Sequence, residues 1–191
     1  MYDSKYSNMK ILETKRCILR PATLNDSKDL FDYYKEDIVV KYLPFKKHKS
    51  IKDTKRFIKL FFFKNYNEGK IGHYVIVLKR ENRVIGNVGF NNIYPNSKEG
   101  EIGICINPNY WGENLSTELA VEMLRYGFGD LNLNKIIAIT FEDNKYSRKP
   151  LEVLGFNYIG KFRKKFPSNK FGTYTVCHRF EMLKSDYIKK G

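Results

Sequence analysis

The stretch EIGICINPNYWGENLSTELAVEMLRYGF, residues 101–128, predicts a strand, a turn and a helix in direct succession. Residues 101–106 are mostly apolar and β-branched, which is typical of a buried strand. Pro108 ends this strand, because proline cannot donate a hydrogen bond to a neighbouring strand. From Leu115 onwards, apolar residues recur at the three- and four-residue spacing of a helix that is buried on one side. A helix N-terminus therefore follows the strand after a short turn.

A helix N-terminus in this setting is a candidate anion site. The N–H groups of the first turn have no partner within the helix, and the aligned peptide dipoles add partial positive charge there. Gly112 allows a ligand to approach the backbone, and Asn114 suits a position that needs a left-handed conformation. A pyrophosphate would fit such a turn. The alternative is an ordinary connection between a strand and a capped helix.

These residues resemble motif A of the GNAT acetyltransferases, Arg/Gln-x-x-Gly-x-Gly/Ala. Asn109, Gly112 and Asn114 occupy the three marked positions, and both asparagines depart from the pattern. The flanking sequences NPNYWG (107–112) and STEL (116–119) are similar to the branch that contains ribosomal-protein N-terminal acetyltransferases. The resemblance identifies the chain as a member of this family.

Two further stretches extend the resemblance along the chain. Residues 14–21, TKRCILRP, resemble the opening of the same branch. Asn144-x-x-Ser147, followed by LEVLGF at 151–156, is similar to a second family motif. The resemblance implies an α+β (α/β/α) GNAT fold with a mixed, mostly antiparallel, twisted sheet of about seven strands flanked by helices. We expect a flexible leader over residues 1–10, a single domain over 11–183 and a C-terminal tail over 184–191.

The remaining secondary structure is predicted from local patterns. Capping boxes at Thr23 and Ser50 begin two helices, the second reaching about Tyr66, and a later helix ends at Gly155. Strands are predicted at 11–20, 73–79, 84–93, 101–106 and 135–141, and in a closing hairpin of 156–165 and 173–183 with a basic loop between them. The phenylalanine-rich residues 57–63 are expected to be mostly core. The resemblance implies that helices in this region line the acceptor groove, so one or two of these rings are expected to face the acceptor, and the linker 37–49 is expected to form another wall of the groove.

Composition limits the class of protein. The chain has 191 residues, 42% of them hydrophobic, which fits one globular domain, and we expect no membrane segment. Its three cysteines and three histidines are scattered, so we expect reduced thiols, a cytoplasmic location and no metal. The net charge of +14 favours an anionic partner such as the CoA phosphates. We do not expect nucleic acid as a partner, except through a ribosomal substrate.

The resemblance also implies the chemistry and its residues. Acetyl-CoA is the expected cosubstrate, and Glu101, Ser147 and Asn144 are the expected catalytic residues. Glu101 would be the base, Ser147 would donate a proton to the departing thiolate, and Asn144 would bind the cosubstrate near its sulfur. For Glu101, pairing with a lysine at a strand end is an equally good reading. The residues expected to bind acetyl-CoA are Ile104, Cys105, Ile106, Trp111, Gly112, Glu113, Asn114, Leu115, Ser116, Thr117 and Asn144.

The predicted function is transfer of an acetyl group from acetyl-CoA to a primary amine by direct attack. The expected acceptor is the α-amine of a protein N-terminus, and a small amine or antibiotic is the alternative. A CoA-binding protein without turnover, suggested by Asn109 and Asn114, and an RNA-binding module, suggested by charge alone, are the rivals from other classes. The protein is expected to be a monomer or a homodimer.

Overall fold

A computed structural model describes residues 9–165 and 174–189. Strands alternating with helices form one sheet whose strands, in chain order, are β1 (Leu12–Glu13), β2 (Cys17–Arg20), β3 (His73–Leu78), β4 (Arg83–Tyr94), β5 (Glu99–Ile106), β6 (Lys135–Phe141), β7 (Asn157–Lys164) and β8 (Thr175–Leu183). Their spatial order is β1-β2-β3-β4-β5-β6-β8-β7. Only β5 and β6 pair in parallel, and every other neighbouring pair in the described sheet is antiparallel. The predicted α+β class and mixed, mostly antiparallel sheet are confirmed.

The helices flank this sheet. The α-helices are α1 (Ser27–Tyr34), α2 (Asp37–Val40), α3 (Ile51–Phe57), α4 (Lys64–Asn67), α5 (Leu115–Arg125), α6 (Lys145–Leu154) and α7 (Lys184–Ile188). Single-turn 3-10 segments lie at Leu24–Asp26 and Pro108–Tyr110, and π-helical segments lie at Ile58–Phe63 and Tyr126–Asp130. The predicted helix from Ser50 to about Tyr66 is therefore continuous from α3 to α4, with an unpredicted π-helical centre.

The N-terminal edge of the sheet differs from the prediction. The single strand expected over 11–20 is divided into β1 and β2, which pair with each other, and the sheet therefore has eight strands instead of about seven. Thr14 causes the division: its N–H donates to the carbonyl of Cys17 at 2.9 Å, and its hydroxyl accepts from the Cys17 N–H at 2.9 Å. These two bonds close a turn inside the predicted strand.

Two glycines of β4 are required by close backbone approach. A Cβ at Gly86 would lie 2.4 Å from the carbonyl oxygen of Cys105, and one at Gly89 would lie 2.4 Å from that of Gly72. The pairing of β3 with β4 also shifts register after Ile76, opposite Gly86. Both glycines thus permit the close pairing of β4 with its neighbours β3 and β5.

The phenylalanine-rich segment is largely core. Phe62 is fully buried, and Phe57, Phe61 and Phe63 are half-buried against it and its neighbours, whereas Leu60 is exposed. Phe61 stacks on Phe57 at 4.9 Å and contacts the ring of His73 at 5.0 Å between centroids. Phe61 is therefore the ring of this segment that reaches the central strands.

Some predictions fall outside the described residues: most of the leader (1–8), the basic loop of the closing hairpin (166–173) and the last two residues. Within the described part of the chain, no helix is long and apolar enough to cross a membrane. The three cysteines are free thiols, as predicted. Residues 184–188, expected as part of a tail, form α7, and Tyr187 packs on Phe128 at 5.0 Å.

Candidate active site

A gap opens between the two parallel strands at the centre of the sheet. β5 and β6 pair only from Glu99–Lys135 to Ile102–Ala138, although the strands continue to Ile106 and Phe141. Beyond Ile102, the described strands give the backbone of β5 a neighbour on one side only, which is β4. An edge of unpaired backbone groups inside a sheet is a site where an extended ligand can pair as an additional strand would.

The direction of the β5 backbone groups follows from its pairing with β4. The N–H of Asn107 donates to the carbonyl of Ile85 at 2.8 Å, so Asn107 faces β4. Backbone groups alternate along an antiparallel pair, so Cys105 also faces β4, whereas Ile104 and Ile106 face the gap. The carbonyl of Ile106 accepts from the indole N–H of Trp111 at 2.8 Å. Ile104 therefore offers both its N–H and its carbonyl to the gap.

The turn after β5 has the conformation that its residues predicted. Gly112 has a φ of 86°, with nothing within 4 Å of an added Cβ, and Asn114 has a φ of 57°, in the left-handed region. Asn114 is the N-cap of α5, and its carbonyl accepts the first bond of the helix, from the Glu118 N–H at 3.3 Å. The N–H groups of Leu115, Ser116 and Thr117 precede this bond and are the free donors of the first turn.

Two arginines brace this turn. Arg16 donates from its backbone N–H and its Nε to the carboxylate of Glu118, at 2.8 and 2.6 Å, and from its guanidinium to the carbonyl of Glu113 at 2.9 Å. Arg80 pairs with the Glu113 carboxylate at 3.1 Å. No local pattern signals these contacts, because Arg16 and Glu118 are 102 residues apart in the chain. Arg16, next to β2, and Arg80, between β3 and β4, thus hold the left-handed turn in place.

A second helix begins beside the same edge of the gap. Asn144 follows β6 as the N-cap of α6, it is half-buried, and its side chain makes no capping bond. Its carbonyl accepts from the N–H of Ser147 at 3.3 Å, and Ser147 is also half-buried. Tyr146 and Trp111 face each other at 6.1 Å between ring centroids, which shows that the two helix starts lie close together.

The linker predicted as a groove wall reaches this edge as well. The hydroxyl of Tyr42 donates to the backbone carbonyl of Asp143 at 3.3 Å, and its ring lies 5.8 Å from that of Phe141. The Lys41 ammonium pairs with the Asp143 carboxylate at 3.5 Å. The segment after α2 thus contacts the end of β6, immediately before Asn144.

Glu101 lies at the closed end of the gap. It pairs with Ile137 one step before the last paired residues of β5 and β6, and its side chain is buried, with 6% of its surface exposed. Its Oε1 accepts from Asn91 Nδ2 at 3.2 Å and lies 3.5 Å from the Nζ of Lys164. The lysine pairing considered for Glu101 is therefore present, together with an amide partner that the sequence did not indicate.

Two chemical alternatives can be compared with this geometry. Burial raises the pKa of the Cys105 thiol to about 12, so this thiol is protonated near neutral pH and is a poor nucleophile. Among the described residues, no group of three or more His, Cys, Asp and Glu side chains could hold a metal ion. The Cys105 thiol is therefore poorly suited to form an acyl-cysteine intermediate.

Comparisons with known proteins agree with this geometry. Residues 16–157 match the family described as acetyltransferase (GNAT) domain. The Bacillus licheniformis protein "Uncharacterized N-acetyltransferase p20" is 31% identical over 179 residues, which is 94% of this chain and 99% of that protein.

Two solved structures illustrate the shared fold. The ribosomal-protein-S5-alanine acetyltransferase of Vibrio fischeri superposes with a TM-score of 0.76 at 20% identity, covering 94% of this chain and 99% of that one. The microcin C7 self-immunity acetyltransferase MccE, solved with acetyl-CoA and AMP, gives a TM-score of 0.77 at 22% identity, covering 95% and 99%.

The chain belongs to the GNAT acetyltransferase family. It is an acetyl-CoA-dependent N-acetyltransferase.

Proposed function

We propose that this enzyme acetylates the α-amine of a protein N-terminus by direct attack on acetyl-CoA, with both substrates bound together. The observation that carries the proposal is the gap between β5 and β6, which has unpaired backbone groups along one side and the buried Glu101 carboxylate at its closed end. The Vibrio fischeri structure, which bears the name of a ribosomal-protein-S5-alanine acetyltransferase, supports a protein as the acceptor.

We assign the cosubstrate to the gap and the turn beside it. The N–H groups of Leu115, Ser116 and Thr117, with those of Gly112, Glu113 and Asn114 in the turn, would bind the pyrophosphate. The N–H of Trp111, a residue also expected to bind the cosubstrate, donates to the carbonyl of Pro108 at 3.0 Å instead. The positive end of the α5 dipole favours that charge. The N–H and carbonyl of Ile104 would pair with the amides of the pantetheine arm, next to Cys105 and Ile106. The side chain of Asn144, which makes no capping bond, would bind acetyl-CoA near its sulfur.

The transfer itself needs one proton removed and one proton supplied. Glu101 would accept a proton from the acceptor ammonium, directly or through a water, leaving a lone pair on nitrogen. That lone pair would attack the thioester carbonyl carbon, and a backbone N–H of the gap would stabilise the oxyanion. The C–S bond would then break, and the nitrogen would release its second proton to water. Ser147 would donate a proton to the thiolate to give CoA and would regain one from water.

An α-amine matches this limited acid–base machinery. Its ordinary pKa is about 8, so at neutral pH roughly a tenth of it is already neutral, whereas an alkyl amine with a pKa of about 10.4 is almost wholly protonated. The net charge of +14 also disfavours a small polycation as the acceptor. Both considerations favour a peptide N-terminus over a polyamine.

The test begins with calorimetric titration by acetyl-CoA and continues with an acceptor panel. The panel contains lysine-free peptides that begin with Ala or Ser, the same peptides with a blocked N-terminus, a blocked peptide with one lysine, and spermidine. We expect micromolar binding of acetyl-CoA and acetylation of the free peptides alone, located at the α-nitrogen by tandem mass spectrometry. Turnover of spermidine or the lysine peptide alone would refute the proposed acceptor. Absence of binding up to millimolar acetyl-CoA would favour the non-catalytic alternative.

A further inference from the structure

Glu101 is connected to a line of hydrogen bonds that crosses the central strands. Asn91, at the exposed end of this line, donates from Nδ2 to Glu101 Oε1 at 3.2 Å. Its Oδ1 lies 2.9 Å from the Nε2 of His73, a residue with only 4% of its surface exposed. Phe61 packs on the His73 ring at 5.0 Å between centroids. A buried histidine is thus one residue removed from the proposed base.

The line continues from His73 into the core. The Nδ1 of His73 lies 3.0 Å from the amide nitrogen of Asn87. The Oδ1 of Asn87 accepts from the hydroxyls of Tyr33 and Tyr34, at 3.1 and 2.7 Å. Burial raises the pKa of both tyrosines well above their ordinary value, so both hydroxyls keep the protons that they donate. All the polar atoms named here are therefore paired.

The carboxylate at one end sets the direction of every bond. An ionised carboxylate only accepts, so Asn91 must present its NH₂ group to Glu101 and its oxygen to His73. The His73 ring must then carry its proton on Nε2 and accept at Nδ1, which requires the NH₂ group of Asn87 on that side. Burial lowers the pKa of His73 to about 4, which keeps the ring neutral and able to both donate and accept.

We propose that His73 and Asn91 are positioning residues that hold Oε1 of Glu101 and thereby direct its other oxygen to the acceptor amine. This inference rests on the proposed role of Glu101 as the base. Among residues 9–165 and 174–189, the two contacts of the carboxylate, from Asn91 and Lys164, both use Oε1, which leaves Oε2 for the proton. A line of bonds that all point the same way is mutually strengthening and fixes the orientation of its last member.

Gly103 supports the same arrangement. A Cβ at Gly103 would lie 2.8 Å from Asn91 Oδ1, so the absence of a side chain there makes room for the amide. Because the clash is with the end of an exposed side chain, Gly103→Ala is expected to displace Asn91 at little cost to folding. We expect this variant to lower kcat, as removal of the Asn91 amide would.

Two substitutions at His73 separate positioning from packing. The amide nitrogen of glutamine reaches approximately the place of Nε2, so His73→Gln retains a donor to Asn91. The amide oxygen of asparagine lies near the place of Nδ1, so His73→Asn retains the link to Asn87 and loses the one towards Glu101. We expect kcat to fall about tenfold in His73→Asn and in Asn91→Ala, and to stay within about twofold in His73→Gln. The KM for acetyl-CoA should not change. Equal losses in the two His73 variants would overturn the inference.

The assay uses whichever peptide or amine of the acceptor panel is acetylated, and it includes a double-mutant cycle. If Asn91 acts through Glu101, Asn91→Ala should change kcat less than about twofold in the Glu101→Gln background. Additive losses would refute positioning, even with a large effect of Glu101→Gln alone. An unchanged rate of Glu101→Gln at pH 7, the pH of this assay, would instead refute the role of Glu101 as the base.

A measurement without any acceptor tests the bonds themselves. In protein labelled with ¹⁵N-histidine, we expect His73 to show a protonated Nε2 and an unprotonated Nδ1 from pH 8 to pH 5. Its signals are identified by their loss in His73→Gln, and its Nε2 signal should shift in Asn91→Ala. A proton on Nδ1, or titration of His73 near pH 6.5, would overturn the inference even if no acceptor is turned over.

Discussion

Replacing Glu101 by glutamine would isolate its role as a base. Glutamine has the same shape, and its amide oxygen can still accept the bond that Asn91 Nδ2 donates at 3.2 Å. The variant loses the pairing with Lys164 at 3.5 Å, whose side chain is 29% exposed, so little stability should be lost. The main change is that the variant cannot take a proton from a bound ammonium.

The expected loss follows from the fraction of acceptor that is already neutral. For an α-amine with a pKa of about 8, this fraction is roughly 9% at pH 7, 50% at pH 8 and 90% at pH 9. If wild-type enzyme uses the ammonium form and the variant only the free amine, kcat/KM falls about 11-fold at pH 7, about twofold at pH 8 and hardly at all at pH 9. An amine with a pKa of about 10.4 would give roughly 2,500-fold at pH 7 and about 26-fold at pH 9.

The assay measures CoA release by a thiol reagent, in parallel for wild type and variant across this pH range. Glu99→Gln is the matched control: it removes a carboxylate from the same strand, where Glu99 pairs with Lys135 at 2.6 Å, and it should leave the rate unchanged. A loss that does not depend on pH would contradict the role of Glu101 as a base. A loss of the size expected for an amine with a pKa of about 10.4 would support Glu101 as the base and would refute an α-amine as the acceptor.

Three further variants test other parts of the molecule. Ser147→Ala should lower kcat about a hundredfold if the serine protonates the thiolate, with unchanged calorimetric affinity for acetyl-CoA, and an unchanged kcat would exclude that role. Asn114→Gly should keep the Kd for acetyl-CoA within about twofold, because glycine readily adopts the φ of 57° found at this position. Asn114→Val should raise the Kd about tenfold, because a β-branched residue disfavours this conformation. Equal affinities of the two variants would show that acetyl-CoA binding does not need the left-handed turn. Asp26→Ala removes the buried partner of Arg20, to which it is bonded at 2.6 and 2.8 Å. The free energy of unfolding, measured in urea, should fall by about 3 kcal/mol. A loss below about 1 kcal/mol would mean that water solvates Arg20 in place of the carboxylate.

Strand and helix positions could be predicted from local patterns because their causes are local. The strand 135–141 is found as predicted, and α6 ends at Gly155, whose φ of 82° is the left-handed conformation expected of a helix C-terminus. Asn114 was predicted as a left-handed residue for the same reason. The division of the first strand was missed, because the side-chain bond of Thr14 competes with strand pairing in a way that apolar alternation does not reveal.

The sequence by itself determined the family, because its short motifs resemble those of GNAT acetyltransferases, and this resemblance implied the fold. It also determined the turn before α5, because turn chemistry is local. Only the tertiary structure decided which groups surround the proposed base. Asn91, His73 and Asn87 lie on two strands of one hairpin, and they become a directed line of bonds only when those strands pair and β5 brings Glu101 beside them. Likewise, Arg16 contacts the carbonyl of Glu113, which lies 97 residues later in the chain. Such contacts depend on strand register and on distance in space, and neither can be predicted from the separation of two residues along the chain.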